Sequence, residues 1–139
     1  MNLLENAVTF FSNCESAKGW EACKDYVDGN GKFTCEADPL AEVNEIKEYV
    51  EWMAGLGNTA LAGSSFEIHA KALDEATNTA LIFATFTATH SGEGGPVPPT
   101  NKTAHSHYVF ALKMNNAGLV ESAIKIWNSS WALKGLGWM

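Results

Sequence analysis

His90 stands where an alternating segment, Thr79 to His90, runs into a Gly/Pro stretch from Ser91 to Lys102. An imidazole changes charge near neutrality, so at a pocket mouth it can serve as general base or as a hydrogen-bond donor to a ligand. The plainer role is a strand-end side chain bonded to the loop backbone. Asn128 closes the last alternating segment. It can orient a ligand carbonyl, or it can cap the stretch Ser129 to Leu136, because its side-chain oxygen suits a free helical N–H. Tyr108 can donate its O–H to a ligand or sit in the core with that hydroxyl satisfied. His105 and His107 alternate at i, i+2 like metal ligands, with His69 as the only further candidate on that face. An interface or surface role suits them better, and no metal is expected. Glu93 in the loop is the acid nearest to His90.

The bulk properties exclude several functions. The chain has 139 residues and a formal net charge of −7, without a Lys/Arg cluster. That disfavours nucleic acid, which needs cations to displace phosphate counterions, and it disfavours anionic membranes. Met1 to Glu5 has no basic leader character, and Glu5, Asn6 and Ser12 break its apolar stretch. Neither a signal peptide nor a membrane span is expected. Cys14, Cys23 and Cys35 are odd in number and lack CxxC spacing, which fits free thiols in a reducing cytoplasm. No HExxH, P-loop or GxGxxG motif occurs, so no cofactor is expected. The length fits one domain, residues 1–139, able to bury its own core.

These side chains must be carried by elements, and the periodicity orders them. Leu4, Ala7, Val8 and Phe11 fall at helical spacing in a first helix, Leu3 to about Ala17. A short second helix is expected over Trp20 to Val27. Asp28-Gly29-Asn30-Gly31 reads as a turn and Lys32 to Glu36 as a short strand. Asp38-Pro39 has the form of a helix start, N-cap then first-turn proline. From there Val43, Ile46, Tyr49, Val50, Met53 and Leu56 make one apolar stripe that stops near Gly55 and Gly57. Beyond Ser65 the period becomes two, with strands to Leu73, over Thr79 to His90, Thr103 to Met114 and Leu119 to Asn128. Helices first and an antiparallel meander last is an α+β order.

Strand parity sorts the candidates. In 103–114 the even residues, including Ser106, Tyr108, Phe110 and Leu112, are the apolar set; in 79–90 so are Ile82, Ala84, Phe86 and Ala88. Pairing Ala72 with Ala80 and Ile68 with Ala84 continues that face into the preceding strand. Carrying the parity across the turn at 115–118 puts Val120, Ile124, Ile126 and Asn128 inward, and Glu121 and Lys125 outward. His90, Asn128, Tyr108 and Ser106 then share a concave face with Phe86 and Phe110, a few polar groups among apolar ones. Trp52 and Met53 on the third helix either wall this cavity or pack helix to sheet. The opposite face keeps Leu81, Phe83, Val109 and Trp127, which is apolar enough to suit a homodimer.

Thr89-His90-Ser91-Gly92, Pro98-Pro99-Thr100-Asn101-Lys102 (similar to a PPTGK-like run), Ile126-Trp127-Asn128 and the closing Leu133-Lys134-Gly135-Leu136-Gly137-Trp138 resemble the SnoaL-like branch of the nuclear-transport-factor-2-like superfamily. The resemblance is strongest over Thr79 to Trp138. It implies an NTF2-like (cystatin-like) cone, with N-terminal helices packed on a highly curved, mainly antiparallel sheet. In SnoaL-like cyclases an acid at the end of the last strand moves the proton in an aldol closure. The matching residue here is Asn128, and an amide cannot replace a carboxylate as base.

The expectation is therefore a cytoplasmic pocket protein for a small, largely apolar, carbonyl-bearing molecule. If catalytic, it would be a cofactor-independent lyase or isomerase of polyketide-cyclase type. His90 would then move the proton, while Asn128 and Tyr108 hold oxygen and Phe86, Phe110, Trp52 and Met53 line the pocket. The alternative is a non-catalytic ligand-binding or dimerisation module, and the amide at 128 favours it.

Overall fold

A computed structural model describes residues 2–139. Helix α1 spans Leu3–Glu15, with the Asn2 side chain accepting from the Glu5 N–H at 2.9 Å. Helix α2 is one turn, Trp20–Cys23, followed by a 3₁₀ turn, Lys24–Tyr26. Strand β1 covers Val27–Cys35, helix α3 Ile46–Gly57, and strands β2 to β5 cover Ser65–Asp74, Thr79–Thr89, Thr103–Met114 and Val120–Trp127. Helix α4, Ser129–Leu136, comes last. The strands form one sheet in the order β1-β5-β4-β3-β2, parallel only at β1–β5. This is an α+β fold.

Helices α1 and α3 cover the concave face. Phe10 and Phe11 of α1 and Tyr49 and Val50 of α3 pack onto Ile82, Phe110 and Leu112 of the sheet. A smaller cluster, Ala60, Leu61, Ala88, Ala104 and Leu136, seats α4 against the β3–β4 end. Breaks in register within β1, in β2 between Ile68 and Ala70, and between β4 and β5 beside Met114 add twist and bend the sheet.

Several expectations need correcting. The Asp28-Gly29-Asn30-Gly31 run is a bulge within β1, not a turn before it. A Cβ at Gly31 would stand 2.8 Å from Ile46 Cδ1, so a glycine lets the first residue of α3 close on the strand. The helix expected at Asp38-Pro39 is one 3₁₀ turn, Asp38–Leu40, and Asp38 caps nothing. The chain stays extended at Asn44 and Glu45, where Lys32 bridges Glu45 and the Phe33 N–H donates to the Asn44 carbonyl at 3.0 Å. Sheet pairing there wins over local helix signals, and α3 begins only at Ile46. Ile68 does pair with Ala84, but Ala80 faces Leu73 rather than Ala72, because His69 is the extra residue of the β2 bulge.

The consequential correction lies in β5. Met114 pairs with Val120 and Lys113 with Ser122, so Glu121 is an unpaired extra residue. Every residue beyond it changes face. Ala123 and Lys125 are buried and Trp127 is half-buried on the concave side, whereas Ile124, Ile126 and Asn128 are exposed.

Candidate functional site

The concave face is not filled completely. A cavity of about 400 Å³ lies between α3, α4 and the sheet. Trp52, Met53 and Leu56 of α3 form one wall, Phe86, Ser106 and Tyr108 the floor, and Leu133, Leu136 and Trp138 the closing side. Nearly all of this surface is apolar. The polar exceptions are Glu15, Lys125, Ser106 and the hydroxyl of Tyr108.

Glu15 and Lys125 are 1% and 6% exposed, and charges so placed need partners. They share one. The Lys125 ammonium donates to Tyr49 Oη at 3.1 Å, and the Tyr49 hydroxyl donates to Glu15 Oε2 at 2.8 Å. Each group in this chain has the polarity the next requires, and the ends cancel in charge. Lys125 Nζ also lies 4.3 Å from the Trp127 ring centroid and 5.0 Å from that of Tyr49, with Tyr108, Trp52 and Phe110 at 5.3, 5.7 and 5.9 Å. Ring faces carry partial negative charge and compensate part of the lost hydration.

Burial pulls the ammonium of Lys125 below its ordinary range, while Glu15 opposes that shift. Burial first, then the charge of Glu15, pushes Tyr49 and Tyr108 well above the ordinary phenol range. Both phenols therefore stay protonated. Tyr49 can pass a proton between Lys125 and Glu15 without water. The Tyr108 hydroxyl makes no hydrogen bond of good geometry among the described residues, although the Glu15 carboxylate lies near it, and its residue lines the cavity. An unmatched buried hydroxyl costs stability unless something in the cavity accepts from it.

The residues singled out from sequence fall into two groups. Tyr108, Phe86, Trp52 and Met53 line the cavity. Phe110 is in the core behind it, against Phe11, Tyr49 and Tyr108. His90 is fully buried but is not among the lining residues. Its Nδ1 accepts from Trp138 Nε1 at 2.8 Å, and its Nε2 is buried without a hydrogen-bond partner among the described residues. A Cβ at Gly95 would stand 2.8 Å from that Nε2, so the Gly/Pro loop lies directly over the ring. The backbone of His90 pairs with Lys102 and Asn101 and closes the loop. Asn128 is exposed, and its side chain caps α4 by accepting from the Trp131 N–H at 3.1 Å. It borders a separate shallow groove of about 610 Å³ on the outer face, beside Phe83, His107 and Ile126. His69 and His107 both meet the Thr85 hydroxyl, at 2.7 and 2.8 Å. No group of three or more potential ligands is placed to hold a metal among the described residues.

Sequence reasoning missed Glu15, Tyr49 and Lys125 as site residues. For Glu15 a signal existed: it continues the stripe Leu4, Val8, Phe11 by one helical step. An acid on an apolar stripe is carried inward with it and must find a partner there. Lys125 is the buried exception among nine lysines, the other eight being exposed.

No family profile and no curated protein sequence matches the chain. Solved structures do. IdmH from Streptomyces antibioticus, described as a candidate polyketide cyclase, superposes with TM-score 0.78 at 11% identity, covering 99% of both chains. A candidate SnoaL-like polyketide cyclase from Jannaschia sp. gives 0.78 at 13% identity over 96% of this chain and 90% of that one. An NTF2-like protein from Burkholderia thailandensis gives 0.74 at 14% over 97% of each. At such identities the likeness speaks for the fold, and the fold of this chain is the one shared by SnoaL-like polyketide cyclases and NTF2-like proteins.

Proposed function

We propose that the cavity binds a small, largely apolar molecule bearing a carbonyl group and moves a proton at the carbon next to it. The observation that carries this reading is the Lys125–Tyr49–Glu15 chain, a charged, proton-passing set built into the wall of an apolar cavity. Burying an ammonium and a carboxylate without a task is costly. A carbonyl oxygen would accept from the Tyr108 hydroxyl, which makes no other hydrogen bond of good geometry. An enolate formed there gains from Lys125 and from exclusion of water. Glu15, linked through Tyr49, supplies the acid–base capacity that the amide at 128 lacks. Phe86, Trp52 and Met53 give the apolar contacts. His90 braces Trp138 from behind, and Asn128 holds the start of α4. The reaction class is that of an isomerase or lyase working without a cofactor.

Two measurements test this. 4-Phenyl-2-butanone in D₂O should exchange its α-hydrogens faster with the protein than without it, by NMR. Glu15→Gln and Tyr49→Phe should each lower that rate by about 10²-fold, the usual loss when a positioned acid or base is removed. Wild-type protein that binds the ketone but gives no acceleration would leave a binding module. If Leu133→Trp, which narrows the cavity, leaves binding unchanged, the cavity is the wrong place.

A second element of function rests on the outer sheet face. Leu81, Phe83, Ile124 and Ile126 are large apolar side chains exposed together there, Ile126 by 63%. A second copy of the chain is the occupant we propose, giving a homodimer through this face.

A further inference from the structure

Lys125 lines the cavity and points its amine into a ring of aromatic faces, with one hydrogen-bond partner, Tyr49 Oη. We propose that Lys125 captures its ligand covalently, forming an imine with the carbonyl carbon of an apolar aldehyde or ketone. This rests on the cavity reading above and names the substrate class more narrowly, since esters and amides do not form imines.

Three features support it besides the placement of the amine. Desolvation in an apolar pocket favours the free base, which is the nucleophile. Tyr49 can accept the proton that Lys125 must give up, because its own proton can pass to Glu15 at 2.8 Å. The aromatic ring set suits a cation on nitrogen whether that nitrogen is an ammonium or a protonated imine.

The step balances without an external reagent. The Nζ lone pair attacks the carbonyl carbon, a C–N bond forms, and the C=O π pair moves to oxygen. That oxygen takes up the proton that Lys125 first gave to Glu15 through Tyr49, and nitrogen then loses a second one along the same chain. Passed on to the oxygen, this second proton lets it leave as water with the C–O pair while the C=N bond forms. One ammonium and one carbonyl become one protonated imine and one water. Proton loss from the neighbouring carbon then gives an enamine, a lower-energy route to the α-exchange described above.

The test is reductive trapping of the wild-type protein with cinnamaldehyde and sodium cyanoborohydride, read by intact mass and peptide mapping. Cinnamyl alcohol, which cannot form an imine, serves as competitor and as the probe of cavity binding. The expected result is one adduct per chain on the peptide carrying Lys125, formed at least about tenfold faster than on any exposed lysine, as an activated amine should react. Cinnamyl alcohol should slow that adduct and leave the others untouched. Lys125→Arg and Lys125→Met should both lose it while retaining wild-type circular dichroism. Adducts spread evenly over exposed lysines, or none on Lys125, overturn the imine. If cinnamyl alcohol still binds in that case, the cavity reading survives alone; if it does not, both fall.

Discussion

At Lys125 one side chain carries opposed demands. Burial favours the neutral amine, whereas Glu15 and the surrounding rings favour the ammonium, and burial has the larger effect. The groups facing it are Glu15, Cys14 and Cys35, besides the two phenols Tyr49 and Tyr108, which stay neutral. Because its folded value lies below the ordinary 10.5, the unfolded chain binds more protons at this site between those two values. Stability attributable to Lys125 therefore rises with pH through that window. We expect the stability of wild type relative to Lys125→Met to increase as the pH rises toward the ordinary lysine value of 10.5, measured by urea unfolding of both proteins. A difference that stays flat, or falls, contradicts the shift. Tyr49 is the residue on which both charges depend. Its loss would leave Lys125 and Glu15 each short of a hydrogen bond at once, which makes it a positioning residue as much as a relay.

At the scale of elements, α4 and the loop over His90 act as fittings of the cavity. Asn128 caps α4 from outside, so Asn128→Ala should cost about 1 kcal/mol of unfolding free energy. It should leave the affinity for 4-phenyl-2-butanone unchanged, by fluorescence titration. A loss of affinity larger than the loss of stability explains would return Asn128 to a ligand role. Much of this level was legible beforehand. The helix-then-meander order, the inward even residues of β3 and β4 and the Ile68–Ala84 pair follow from strict period-two patterning, which holds where the ladders are regular. The failures gather at four places where the ladder is irregular or where sheet pairing holds a segment extended: Gly29 to Gly31, Asn44 with Glu45, His69, and Glu121. Only the first has a local composition that marks it, and its glycines suit a turn as well as a bulge. Asp38-Pro39 is a sound helix-start signal that β1 overrides, since Phe33 needs the Asn44 carbonyl. The candidate site suffered most, because Lys125 lies four residues beyond such a break while Tyr108 and Phe86 lie on unbroken strands.

For the whole molecule, the sheet has two unlike faces. The concave one is closed by helices and keeps the cavity. The outer one shows Leu81, Phe83, Ile124 and Ile126 beside His69 and His107, an apolar patch with polar edges. Sedimentation velocity should find wild type dimeric at micromolar concentration. Ile126→Lys combined with Phe83→Glu should give monomers with an unchanged circular dichroism spectrum. Persistent dimers in that double variant would place the contact elsewhere. No helix is long and apolar enough to cross a membrane among the described residues.

Glu121 touches nothing in the cavity, yet it decides what the cavity is made of. Strand β5 carries two complete linings back to back: Ala123, Lys125 and Trp127 on one side, Ile124 and Ile126 on the other. A shift of one position exchanges them, turning a cation-holding wall into a greasy one and moving the amine to the outer sheet face. Inserting or deleting one surface codon would thus change which side chains of β5 wall the cavity, with every other residue type left as it was.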